Sequence, residues 1–140
     1  MEKSSILRGL STVSFYAADL EAAKKWYGEL LGMEPYFNVP GYIEFRLGDY
    51  QHELGIIDSA YAPEGATKAP AGAIAYWHVD DLKGALEKLL AVGATPYQPI
   101  TDHSGGKETF VTASVVDPFG NILGIMKNVH YLDMLSQKNA

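Results

Sequence analysis

Two stretches of the chain repeat one pattern: VSFYAADLEAAKKWYGELLGMEPY at residues 13–36 and AYWHVDDLKGALEKLLAVGATPY at residues 75–97. When Asp19 is aligned with Asp81, the leucine after each aspartate and an alanine three residues further on also align. With one residue dropped in the second copy, the glycine, proline and tyrosine that close the pattern match as well. Because an internal repeat constrains a fold more than any single motif, the sequence predicts two copies of one supersecondary module.

Each copy reads as a strand followed by a helix. Residues 13–17 alternate apolar and polar side chains, which is typical of a half-buried strand. Asp19 and Asp81 stand where an N-cap carboxylate accepts the first free backbone N–H groups of a helix. Gly32 and Gly93 follow the two apolar helical stripes and are expected to end the helices.

Extended segments follow each helix, at 34–39, 42–48 and 51–57 in the first copy and at 95–99, 109–116 and 121–127 in the second. ELGII at 53–57 corresponds to ILGIM at 122–126, so the repeat continues to the last strand of each copy. The sequence therefore predicts an α+β fold of two tandem βαβββ modules.

We expect a single domain over residues 1–140, with module one at about 8–58 and module two at about 72–128. The stretch 58–72 is rich in Ala, Pro and Gly and is expected to be the linker. The tail at 128–140 is expected to carry a short helix around Tyr131–Leu135.

Composition excludes several classes of function. The net charge of −6 and the scattered basic residues argue against a nucleic-acid partner or an anionic membrane. No apolar stretch approaches the roughly 18 residues needed to span a bilayer, and the first ten residues lack the apolar region of a secretory signal. The absence of cysteine excludes disulfides, thiolate metal sites and cysteine nucleophiles. We therefore expect a cytoplasmic protein.

Three motifs together resemble the vicinal-oxygen-chelate superfamily, which includes glyoxalase I, bleomycin-resistance proteins and extradiol dioxygenases. They are the Asp–Leu–helix–LLG pattern at 19–32, the VDDL–helix–VGA pattern at 79–94 and the turn DPFGN at 117–121. The resemblance covers nearly the whole chain. It implies a curled mixed sheet in each module, a cavity shared by the two modules, and a homodimer.

The resemblance also implies four metal-ligand positions, one on the first and one on the last strand of each module. Metal-using members place His or Glu there, because imidazole and carboxylate groups bind divalent ions. In this sequence the four positions fall on Thr12, Gly55, Ile74 and Gly124. None of these side chains is a metal ligand of that kind, so we expect no metal cofactor. A shifted register could still bring Glu53 to a ligand position, with His78 as its partner, and a divalent metal therefore stays open as the disfavoured alternative.

Strand alternation indicates which residues face the cavity that the resemblance implies. Ten residues are expected to line it or its rim: Thr12, Ser14, Tyr16, Glu53, Gly55, Ile74, Tyr76, His78, Phe119 and Gly124. Glu53 and His78 are its ionisable groups and the candidate catalytic residues. A histidine at a strand end is equally well explained as hydrogen-bonded structure, so both readings of His78 stay open. His103, in the loop DHSGGK at 102–107, has an open role at the mouth of the cavity.

Three functions are compatible with these residues. The first is a metal-independent protein that binds an aromatic or apolar metabolite or an antibiotic, as the resemblance implies. The second is an enzyme of the same superfamily, a lyase, isomerase or dioxygenase relative, that uses Glu53 and His78. The third is a non-catalytic interaction module whose cavity is filled by its own side chains.

Overall fold

The computed structural model of the chain describes residue 6 and residues 8–67 and 70–139. The chain divides into two compact units, one ending at Ala62 and the other beginning at Pro63. This boundary falls inside the segment 58–72 that the sequence predicted as a linker, of which residues 68 and 69 lie outside the described residues. Residues 1–5 and 7, which belong to the N-terminal stretch that lacks a secretory signal pattern, and residue 140 also lie outside the described residues.

The first unit is a four-stranded sheet with one helix. Its elements are β1 (Thr12–Ala17), α1 (Leu20–Leu31), β2 (Phe37–Val39), β3 (Tyr42–Leu47) and β4 (His52–Asp58). The strand order is β1-β4-β3-β2, with β1 parallel to β4 and the other neighbours antiparallel. We call this sheet one. It is the predicted βαβββ module, in which α1 connects the first strand to the other three.

The second unit repeats this topology. Its elements are β5 (Ala75–His78), α2 (Leu82–Ala91), β6 (Thr95–Asp102), β7 (Phe110–Val116), β8 (Ile122–Asn128) and an additional C-terminal helix, α3 (Val129–Lys138). The order β5-β8-β7-β6, with β5 parallel to β8, matches sheet one strand for strand. We call it sheet two. The α+β fold of two tandem βαβββ modules is therefore confirmed, and α3 is longer than the tail helix that the sequence predicted.

The aspartates that align in the sequence repeat cap the two helices. Asp19 accepts a hydrogen bond from the backbone N–H of Ala22 at 3.0 Å, and Asp81 accepts one from that of Gly84 at 3.0 Å. Gly32 ends α1 in the left-handed conformation, with φ of 69°, which glycine adopts without strain. In α2 the C-cap is Val92, and the predicted stop residue Gly93 follows one position later.

Each unit has its own apolar core between the sheet and its helix. In unit one the buried apolar residues are Phe15, Ala17, Ala23, Tyr27, Ile43, Phe45, Leu54 and Ile56. In unit two they are Leu89, Ala94, Val111, Ala113, Val115, Leu123 and Ile125. Ile122 and Met126 are also buried, but they alternate with Leu123 and Ile125 and therefore lie on the opposite face of the sheet, with Ser114 and Gly124. The residues of β1 that alternate with this core, starting at Thr12, point to the opposite face of the sheet.

The DPFGN segment forms the tight turn between β7 and β8. Asp117 is 3% exposed, and its carboxylate accepts hydrogen bonds from the backbone N–H groups of Phe119, at 2.9 Å, and Asn121, at 2.8 Å. The side-chain amide of Asn121 donates to the second carboxylate oxygen at 2.9 Å. Asp117 therefore fixes the register with which β8 returns along the sheet. None of the helices in the described part of the chain is long and apolar enough to cross a membrane.

Candidate functional site

One face of sheet one carries side chains that no helix in the described part of unit one covers. Thr12, Ser14 and Tyr16 alternate with the buried residues of β1, and their partners on β4 are Glu53, Gly55 and Ile57. The register of β3 adds three residues that the sequence analysis did not select. We call this surface the open face of sheet one; its residues are Thr12, Ser14, Tyr16, Tyr42, Glu44, Arg46, Glu53, Gly55 and Ile57.

Glu53 is the centre of a polar network on this face. Thr12 donates its hydroxyl hydrogen to Glu53 Oε1 at 2.7 Å, and Arg46 Nη2 lies 3.3 Å from Glu53 Oε2. The same Arg46 nitrogen donates to the Tyr36 hydroxyl at 3.2 Å, and its guanidinium carbon lies 4.3 Å from the centre of the Tyr36 ring. The hydrogen bond from Thr12 is the main cause that lowers the pKa of Glu53, and Arg46 adds to it. Glu53 is therefore an oriented carboxylate.

Glu44 is a second carboxylate on the open face, and its environment has the opposite effect. It accepts a hydrogen bond from the Tyr42 hydroxyl at 2.5 Å. Partial burial raises the pKa of Glu44, and the negative charge of Glu53 raises it further, while Arg46 acts in the other direction. The pKa of Tyr42 is also raised, by burial and then by Glu53. Two carboxylates with pKa values shifted in opposite directions can divide the roles of proton donor and proton acceptor.

The glycines at the implied metal positions lie beneath tyrosine rings. A Cβ atom built on Gly55 would overlap the ring and hydroxyl of Tyr42. In unit two a Cβ on Gly124 would lie 2.6 Å from the Tyr76 ring and 2.9 Å from the backbone oxygen of Ala75. Both units therefore use the space of a missing side chain to seat an aromatic ring, although the two tyrosines come from different strands of the repeat.

The face of sheet two opposite α2 carries neutral hydrogen-bonding groups. Gln98 Oε1 accepts from the Tyr76 hydroxyl at 3.2 Å and from the fully buried Ser114 hydroxyl at 2.9 Å. Further along, His103 Nε2 and Thr112 Oγ1 lie 2.9 Å apart. His103, for which the sequence left a role at a cavity mouth open, is thus attached to β7 at the base of its loop.

His78 is enclosed at the end of β5. Its side chain is 7% exposed, and its ring stacks on that of Tyr131 in α3, with centroids 4.8 Å apart and planes inclined by 8°. Nδ1 accepts a hydrogen bond from the backbone N–H of Asn128 at 3.2 Å. Nε2 is buried without a hydrogen-bond partner, and the nearest carboxylate oxygen, from Asp80, is 3.7 Å away. The ring of Tyr131 thus covers His78 in this structure.

Ile74 and Phe119, the remaining predicted site residues, are both half-buried. Ile74 precedes the first residue of β5, and Phe119 lies within the tight turn after β7.

A shallow depression of about 470 Å³ adjoins the open face of sheet one. Its lining residues are Leu10, Ser11, Arg46, Tyr50, Gln51, His52 and Glu53. The volume is within the range of small-molecule sites, which is roughly 300–1,000 Å³. The depression gives a ligand access to Arg46 and Glu53 from the end of the sheet where β4 begins.

The residues at the four implied positions do not fit a metal ion of the kind that the fold family uses. Thr12 donates its hydroxyl hydrogen to Glu53, and the two glycines are covered by tyrosine rings. Among residues 6, 8–67 and 70–139, no three His, Cys, Asp or Glu side chains come together as a metal-binding group.

The family model described as the Glyoxalase/Bleomycin resistance protein/Dioxygenase superfamily matches residues 9–125. No curated protein matches the sequence significantly.

Solved structures show the same fold at low sequence identity. A glyoxalase-related enzyme from Fulvimarina pelagi is 23% identical, with a TM-score of 0.67, and the match covers 88% of this chain and 90% of that one. A glyoxalase/bleomycin resistance protein/dioxygenase family enzyme from Burkholderia phytofirmans PsJN is 17% identical, with a TM-score of 0.62 over 84% of this chain and 96% of that one. A bleomycin resistance determinant encoded on the transposon Tn5 is 22% identical, with a TM-score of 0.56 over 86% and 98%.

Proposed function

Because the chain belongs to the glyoxalase/bleomycin resistance protein/dioxygenase superfamily, we propose that it binds an aromatic or apolar small molecule without using a metal ion. The observation that carries the proposal is the pairing of a glycine with a tyrosine ring in each unit. Where the family's metal chemistry needs a carboxylate, this chain has no side chain, and an aromatic surface takes its place. A site of this composition favours an organic ligand over an ion.

The open face of sheet one supplies the contacts that such a ligand needs, together with two aromatic residues at its edge, of which Tyr36 binds Arg46 and Phe37 pairs with Glu44. Tyr36 and Phe37 are 48% and 46% exposed, and the Phe37 ring lies 6.2 Å from that of Tyr42. These rings offer apolar surface and stacking partners. Arg46 and Glu53 stand beside them as an oriented cation and anion that can anchor polar groups of the ligand. The proposed ligand is thus a planar, partly apolar molecule with a few polar substituents.

A thermal-shift screen of aromatic metabolites and antibiotics tests the proposal. A ligand present at 100 times its Kd should stabilise the protein by about 2.7 kcal/mol. Tyr36→Ala should abolish the shift, because it removes both an exposed ring and the support of Arg46. Tyr97→Ala is the matched control, since Tyr97 is similarly exposed, at 46%, and lies on β6. Equal effects of the two substitutions, or no shift with any compound, would contradict binding at this face.

Metal independence has its own test. Protein purified without chelators should contain no stoichiometric Zn, Fe, Mn or Ni by elemental analysis. A stoichiometric metal that is lost in Glu53→Ala but kept in Glu108→Ala, a change to a carboxylate in a loop of unit two, would overturn this part of the proposal.

The two carboxylates of opposite pKa shift favour a second candidate, a proton-transfer enzyme of the same superfamily. In this proposal Glu53, held ionised by Thr12 and Arg46, accepts a proton from the ligand, and Glu44 supplies one. Any ligand from the screen that has an acidic C–H bond would then incorporate deuterium from D₂O in the presence of the protein. Glu53→Gln should stop this exchange while the thermal shift persists, whereas exchange at an unchanged rate would exclude Glu53 as the base.

A further inference from the structure

One hydrogen bond assigns the tautomer of the His78 ring. Nδ1 accepts from the backbone N–H of Asn128 at 3.2 Å, so this nitrogen carries no proton and the neutral ring carries its hydrogen on Nε2. That Nε2–H group is buried and has no acceptor. Leaving a buried donor unsatisfied is unfavourable, because the group loses its hydrogen bonds to water and gains none in the protein. The fold keeps an oriented donor here that its own side chains do not use.

The group that covers His78 is an aromatic ring on a weakly anchored helix. The ring of Tyr131 lies nearly parallel to the imidazole, with an angle of 8° between the planes and 4.8 Å between the centroids. A ring stacked over the imidazole face cannot place its hydroxyl in the ring plane, where the Nε2–H group points, so Tyr131 covers the donor without satisfying it. No residue of α3 is itself buried. A helix of ten residues gains too little from its own hydrogen bonds to be stable without packing.

We propose that His78 is the floor of a second ligand site and that Tyr131 occupies the ring position of this site until a ligand displaces α3. The ligand is a neutral planar aromatic compound with a carbonyl or hydroxyl oxygen at its edge. Its ring takes the stacking position of Tyr131, and its oxygen accepts the Nε2–H hydrogen bond. The Asp80 carboxylate, 3.7 Å from Nε2, disfavours an anionic acceptor at the same place.

This site belongs to unit two and does not depend on the open face of sheet one. A failure of either proposal therefore leaves the other in place, and variants of Tyr36 and of His78 distinguish them.

The test uses the full chain and the neutral probe 4-hydroxyacetophenone, followed by NMR of the backbone amides. Saturable shifts are expected at Asn128 and along α3. Tyr131→Ala should tighten binding about tenfold, because the ligand no longer competes with the internal ring. The control is Leu132→Ala, which changes an exposed residue of the same helix and should leave the affinity unchanged. The proposal would be overturned if the amides of α3 did not shift, or if Tyr131→Ala and Leu132→Ala raised the affinity equally.

Two further comparisons distinguish a ligand site that uses His78 from a cavity that exists only because Tyr131→Ala removes a ring. In the Tyr131→Ala background, His78→Phe keeps a flat ring but removes the donor, and it should weaken binding of the ketone about tenfold, by analogy with a lost hydrogen bond. The anionic analogue 4-hydroxybenzoate should bind less tightly than 4-hydroxyacetophenone. If toluene binds as well as the ketone, and His78→Phe has no effect, the site is an adventitious cavity and the proposal is wrong.

Discussion

Gly55 and Gly124 occupy equivalent places in the two modules, yet the rings above them are held differently. At Gly55 the closest atoms belong to the outer end of Tyr42, a side chain that can rotate away. At Gly124 the backbone oxygen of Ala75 lies 2.9 Å from the place of a Cβ atom, in addition to the ring of Tyr76. A backbone atom in a parallel strand pair cannot move without disturbing the ladder between β5 and β8.

The first prediction follows from this difference. Gly124→Ala should lower the free energy of unfolding by about 1–3 kcal/mol, as overpacking of a core does. Gly55→Ala should cost clearly less, because Tyr42 can turn away at the loss of its hydrogen bond to Glu44. Urea denaturation of the two variants provides the measurement. Equal costs at the two sites would mean that the backbone of Ala75 yields as easily as the side chain of Tyr42.

The second prediction concerns the two carboxylates on the open face of sheet one. In an NMR titration Glu44 should protonate above the usual 4.5 of a glutamate and Glu53 below it. Glu53→Gln should lower the pKa of Glu44 without restoring it fully, because partial burial, the larger cause, remains. Glu21→Gln, on α1, is the control and should leave the pKa of Glu44 unchanged.

The sign of each shift sets its effect on stability. A lowered pKa in the folded state means that the ionised Glu53 stabilises the fold above its unfolded-state pKa, and that this contribution is lost as the pH falls through the folded value. The raised pKa of Glu44 means that its ionised form opposes folding once the pH exceeds its unfolded value. Glu44→Gln is therefore expected to be neutral or slightly stabilising at pH 7, since a glutamine oxygen can still accept the Tyr42 hydrogen bond.

Among the elements of the described residues, the three α-helices share one type of N-cap but differ in packing. Asp19, Asp81 and Asn128 each accept a backbone N–H at the start of a helix, at 3.0 Å in every case. α1 buries Ala23 and Tyr27 and α2 buries Leu89, whereas α3 has no buried residue. The same capping bond is therefore expected to stabilise the whole unit in α1 and α2. In α3 it is expected to stabilise only the helix itself.

The third prediction compares these caps. Asp19→Ala and Asp81→Ala should each lower the free energy of unfolding by about 1 kcal/mol. Asn128→Ala should leave that free energy nearly unchanged and should instead speed hydrogen exchange in α3. Replacement of either aspartate by asparagine, which retains a capping oxygen, is the control and should cost little. A loss of global stability in Asn128→Ala would show that α3 is part of the cooperative unit.

The sequence predicted these elements well because local chemistry decides them. Helix caps, strand alternation and the DPFGN turn depend on residues close together in the chain, and the signals of the caps and strands recur in both copies. Glu44, Arg46 and Tyr36 were missed because their network depends on the register of β3 against β4 and on side-chain rotamers. The alternation of Tyr42, Glu44 and Arg46 in YIEFRL was the signal that could have found them. The cover over His78 was missed because nothing local indicates where a terminal helix packs.

At the scale of the whole chain, the repeat places the last strand of each module inside its sheet, where it is hydrogen-bonded to a neighbouring strand on both sides. β4 lies between β1 and β3, and β8 lies between β5 and β7. The edge strand β2 is exposed along its length, and β6 nearly so. Stability within each unit should therefore be highest at the last strand of the module, which also carries Gly55 or Gly124 and the residues around them.

The fourth prediction is that hydrogen exchange follows this order. Amides of β4 and β8 should exchange most slowly, and those of β2 and α3 fastest, because local opening of an edge strand or an unburied helix breaks few contacts. Leu54→Ala, in the core of unit one, should lower the free energy of unfolding by about 2–5 kcal/mol and remove the slow exchange of β4. The exposed Leu132 provides the control, since Leu132→Ala should leave that slow exchange intact. Slow exchange in α3, comparable with that of β8, would contradict both this order and the proposal that a ligand can displace the helix.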